Sequence, residues 1–107
     1  MIPKGIENAD TIIASCKSII AGLGSREAEG KEVLQSTVDV LEGMKKKFFL
    51  KTNLAIPTTN ACRRDIIELQ SIVEGADLSR FSEVMVKFRG DMEKLLKNAK
   101  MDGVIIT

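Results

Sequence analysis

The sequence predicts an all-α protein, an antiparallel up-down-up-down four-helix bundle with residues 1–107 forming one domain. Three observations carry that expectation. Apolar residues recur at helical spacing in four runs, Gly, Pro and short polar residues punctuate the runs, and strand-favouring aromatics are scarce. At 107 residues the chain can bury one core without metal or disulfide staples. Only four Phe and no Trp or Tyr are present, so that core must come mainly from Ile, Leu, Val and Met.

The first helix is expected at about 6–23. Ile6, Ala9, Ile13, Cys16, Ile20 and Leu23 form its stripe, and Ile12 and Ile19 widen it. Asn8 or Asp10 can cap its start, and Gly22 and Gly24 can end it, because Gly adopts the left-handed conformation without a Cβ clash. The second helix is expected at about 25–49, capped by Ser25. Leu34, Val38, Leu41, Met44 and Phe48 make its stripe, and Lys45, Lys46, Lys47 and Lys51 complement its negative end.

Pro57 lacks an amide hydrogen and marks the main connector, so the third helix is expected at about 59–75, capped by Thr58 or Thr59. Its stripe is Cys62, Ile66, Leu69, Val73 and Ala76. The fourth helix, about 78–101, follows a cap at Asp77 or Ser79 and carries Leu78, Phe81, Met85, Phe88, Met92, Leu95 and Ala99. Gly103 closes it and leaves Val104-Ile105-Ile106-Thr107 as an apolar tail. Short connectors favour antiparallel packing of sequence neighbours, and a mean spacing near 3.5 fits the shallow crossing angle of bundles. A competing arrangement pairs Phe48–Ile56 as a strand with the tail 104–106, but an isolated two-strand pair is marginal.

Charge excludes little. Sixteen basic residues face fifteen acidic ones for a formal +1, so binding to nucleic acid or an anionic membrane needs a local patch. The absence of His removes the usual side chain of acid–base chemistry and metal ligation near neutral pH. No catalytic, metal or cofactor motif stands out, and the carboxylates, Asp65 and Glu68 among them, read as solvated faces. Cys16 and Cys62 lie on stripes without CxxC spacing and read as buried free thiols of a cytoplasmic protein.

Two groups of residues are candidates for binding. Lys45, Lys46, Lys47 and Lys51 with Arg63 and Arg64 form a potential anion-binding set, although consecutive helical lysines point in different directions. Ile12 and Ile19, together with Val104, Ile105 and Ile106, exceed what a narrow stripe needs and are a potential interface. The leading expectation is therefore a non-enzymatic protein–protein interaction or assembly module, of adaptor, chaperone or inhibitor type, with self-association as a homodimer. Nucleic-acid or anionic-membrane binding through the basic set is the second class. A small helical enzyme with an Arg/Lys/Glu pocket is the third.

Overall fold

The computed structural model describes residues 1–101, 103, 104 and 106. They form four α-helices: α1 (Lys4–Leu23), α2 (Ala28–Met44), α3 (Ile56–Glu74) and α4 (Phe81–Asn98). Two 3-10 segments, Phe48–Lys51 and Asn53–Ala55, lie between α2 and α3, and a third, Leu78–Arg80, leads into α4. The chain is thus an all-α four-helix bundle, with no strand among the described residues. The segment that the competing arrangement pairs with the tail forms the two 3-10 segments instead.

Cross-helix contacts fix the directions. Asn8 of α1 meets Thr59 of α3 at one end, and Gly22 approaches Val73 at the other, so α1 and α3 run parallel. Lys45, just past α2, pairs with Asp10 of α1, and Lys87 and Arg80 of the last segment pair with Glu68 of α3. Directions therefore alternate along the chain. The spatial order, however, is α2–α1–α3–α4, closed by a lighter contact between α2 and α4. Sequence neighbours α2 and α3 do not pack along their lengths, because the connector passes under the start of α1.

This order explains the wide apolar face of α1. Flanked by α2 and α3 and seated on the connector, α1 buries Ile12 and Ile13 as well as Ile19 and Leu23. Ile12 and Ile19 are 0% and 1% exposed, so they are core residues and not the external interface their surplus predicted. Leu34, Leu41, Ile66, Leu69, Phe88 and Met92 complete the centre of the core. Cβ-free positions allow two close approaches. A Cβ on Gly30 would lie 2.7 Å from the Phe81 ring, and one on Gly5 would clash with the Leu50 carbonyl oxygen.

Several boundaries shift for local reasons. Asn8 is not a cap: α1 begins at Lys4, and Asn8 is buried, donating to Thr59 Oγ1 at 2.9 Å and Asn60 Oδ1 at 2.8 Å. Ser25 does not cap α2, whose N-cap is Glu27 in the left-handed conformation. α2 ends at Met44, not Phe49. The amides of Lys46 and Lys47 bond the carbonyls of Gly43 and Met44, tightening the last turn before Lys47 becomes extended. Pro57 does not delay α3, because in the first turn its missing amide hydrogen would have no helical partner anyway. Asp77 caps the 3-10 segment Leu78–Arg80, accepting from the Ser79 amide at 3.1 Å, whereas α4 itself follows Arg80, which makes no side-chain cap bond.

α4 stops at Asn98. Lys100 takes a left-handed φ of 59°, and the amides of Lys100 and Met101 bond the carbonyls of Lys97 and Leu96. That paired reversal is the usual helix-ending motif, made here without glycine. Beyond it Ile106 returns into the core cluster, while Val104 is 37% exposed.

Candidate functional site

The most unusual surface lies at the end of the bundle where α2 stops and α3 starts. Had α2 continued to Phe49, Phe48 would lie one turn beyond Met44 on the buried stripe. Because the helix stops, Leu50 turns inward and is fully buried, and Phe48 turns outward at 78% exposure. Leu54, on the second 3-10 segment, is 77% exposed. The start of α1 lies beside them: Ile2 and Lys4 border the same hollow as Lys51 and Asn53. Gly5 lets the connector backbone seat directly on α1, which fixes where both exposed side chains stand.

The lysines of this end divide into two groups. Lys45 is half-buried and pairs with Asp10 at 2.7 Å, and the hydrogen bond and charge of Asp10 raise its pKa from the ordinary value. Lys4 pairs with Glu7 at 3.4 Å. Lys46, Lys47 and Lys51 are exposed and have no ion-pair partner among the described residues. In a 3-10 turn, residues i and i+3 eclipse, so Lys51 stands over the same face as Phe48.

Arg63 and Arg64 do not join this cluster. They border a separate hollow on α3 with Asn60 and Ile67, and none of the connector lysines lines it. The six-residue basic set expected from sequence is therefore split, and Lys45 is committed to Asp10. Of the tail, Ile106 is packed in the core and Val104 is partly exposed. Ile105 lies outside the described residues.

A second polar feature was missed at the sequence level. Asp65, read as a solvated carboxylate, is only 4% exposed on the inner side of α3. Asp91 of α4 lies near it, one Asp65 oxygen lies 3.7 Å from Lys87 Nζ, and the other has no hydrogen-bond partner among the described residues. Burial, then the hydrogen bond and charge of Asp91, push Asp65 up to about 7 against the relief of Lys87 and Arg64. Its position between Cys62 and Ile66 was the available clue, since those neighbours point into the core. The nearby thiols of Cys62 and of Cys16 are free and buried, and burial pushes both up to about 12.

Among the described residues no group of three or more Cys, Asp or Glu converges to hold a metal ion. No helix among them is long and apolar enough to cross a membrane. No protein-family model, curated protein or solved structure matches the chain.

Proposed function

We propose that this chain is a non-enzymatic docking module that engages its partner through the connector end of the bundle. The observation that carries this reading is the outward placement of Phe48 and Leu54 on a stretch of chain that also carries three exposed lysines without ion-pair partners among the described residues. Scattered exposed apolar side chains are ordinary, whereas here two large ones, each more than three-quarters exposed, lie six residues apart on one short connector. Of the residues expected at an interface, Ile12, Ile19 and Ile106 are buried; the exposed large apolar side chains include Phe48, Leu54 and Ile2 at this end, with Val86, Ile67 and Val104 standing singly elsewhere. Two free, buried thiols suit a reducing compartment such as the cytoplasm.

If Phe48 and Leu54 serve docking and not folding, the double substitution Phe48→Ser with Leu54→Ser changes unfolding stability by less than about 0.5 kcal/mol. It also reduces the fluorescence of an apolar-surface dye bound to the native protein. A stability loss above about 2 kcal/mol would place both residues in the fold and remove this reading. Sedimentation of the full chain tests self-association: a dimer abolished by the double substitution would make a second copy the partner.

A further inference from the structure

Resting on the reading that the connector end is the docking surface, we infer that its partner is an anionic phospholipid bilayer surface. Phe48 and Leu54 project at 78% and 77% exposure, so no wall of the protein surrounds them. Such convex apolar points need a partner that deforms around them, and the boundary between headgroups and acyl chains does so without a matching pocket. A protein partner of fixed shape would instead have to supply a cavity for each. Lys46, Lys47 and Lys51, exposed and without ion-pair partners among the described residues, lie within the same nine-residue stretch of chain and can meet headgroup phosphates or carboxylates.

Charge also decides against the nearest alternatives. A two-fold dimer through this end would set the same three lysines against their own copies, which repel. A nucleic-acid backbone satisfies the lysines but gains nothing from Leu54, an aliphatic side chain that does not stack. Only a surface both anionic and apolar uses all five side chains. The attachment is peripheral: 3-10 segments of this length cannot span a bilayer, and no described helix is long and apolar enough to do so. Gly5 has a role in this arrangement. It lets the Leu50 carbonyl rest against α1, at a point of the connector between Phe48 and Leu54.

The test is co-sedimentation of the full chain with phosphatidylcholine vesicles and with vesicles containing about 30% phosphatidylserine, at about 0.05 M and 0.5 M salt. Binding is expected only to the serine-lipid vesicles and is expected to weaken with salt. Partitioning should fall at least about tenfold in the Lys46→Gln, Lys47→Gln, Lys51→Gln variant. It should fall comparably in the Phe48→Ser, Leu54→Ser variant, both variants keeping the native circular dichroism spectrum and thermal midpoint.

Equal binding by wild type and both variants, or no binding to anionic vesicles, overturns the lipid assignment. A DNA duplex bound more tightly than the vesicles, with only the lysine variant impaired, overturns it in favour of nucleic acid. A dimer lost in the Phe48→Ser, Leu54→Ser variant without vesicle binding also overturns it, yet leaves the connector end as the docking surface. If those two substitutions unfold the protein, the docking reading itself fails, and a Phe48→Leu, Leu54→Met variant that retains vesicle binding would not rescue it.

Discussion

Replacing Asp91 by Asn alters the α3–α4 seam by removing one carboxylate and supplying an amide donor to Asp65. In the folded chain Asp65 titrates at about 7 against an ordinary 3.8. Between those values the folded state holds a proton that the unfolded chain has released, so stability falls as pH rises through that window. Above it the folded chain carries the full cost of two close carboxylates. A shift of this size is on the order of a few kcal/mol. The lowered pKa values of Glu68, held by Lys87 and Arg80, and of Asp77, held by the Ser79 amide, act in the opposite sense. Their contributions are lost only as pH falls through the acidic carboxylate range, below the window that matters here.

Wild-type protein should therefore be more stable at about pH 5 than at about pH 8 in urea unfolding followed by circular dichroism. Asp91→Asn should be about 1–3 kcal/mol more stable than wild type at about pH 8, since Asp65 Oδ2 gains a donor and loses a like charge. Its pH slope should be shallower than that of wild type but not abolished, because burial, the larger cause of the raised Asp65 pKa, remains. Wild-type stability that rises from about pH 5 to about pH 8, or an unchanged slope in the variant, would refute the raised Asp65 pKa or the part of Asp91 in it.

Other substitutions probe the core and the seat of the connector. Gly5→Ala should destabilise by about 1–3 kcal/mol through overpacking against the Leu50 carbonyl, whereas helix propensity alone predicts a gain of about 1 kcal/mol. Chemical denaturation gives the sign directly. Phe88→Ala, which empties a fully buried position, should cost about 3–5 kcal/mol. Cys16 and Cys62 should resist a thiol reagent until the chain unfolds, because burial disfavours both thiolates. Rapid labelling of either in native protein would contradict its core placement.

Periodicity made the helices legible because each stripe reports one buried face. Phe81, Met85, Phe88, Met92 and Leu95 are all buried in the places their spacing predicts. The same arithmetic misplaced Phe48, since Gly43 falls inside the expected helix, no Gly or Pro closely follows Met44, and the stripe extrapolates smoothly past it. Tertiary demand ends that helix: the chain must pass beneath α1, and Leu50 rather than Phe48 supplies the buried anchor. Pro57 was overweighted as a breaker although the first turn of a helix tolerates it. The wide apolar arc of α1 was visible in Ile12 and Ile19, but its cause was not. A helix with neighbours on both sides and a connector below needs a broad buried face, and only the spatial order reveals those neighbours. Asp65 could be suspected from Cys62 and Ile66, whereas its partner Asp91 lies on another helix and leaves no local trace.

The connector end can be tested directly by placing a single polarity-sensitive fluorophore through cysteine at position 48, 54 or 35. The native thiols are buried, and Gln35 is an exposed control on α2. Anionic vesicles should shift the emission of probes at 48 and 54 to shorter wavelength, as a drier environment requires, and leave the probe at 35 unchanged. A shift at 35 with none at 48 and 54 would contradict docking through this end of the bundle.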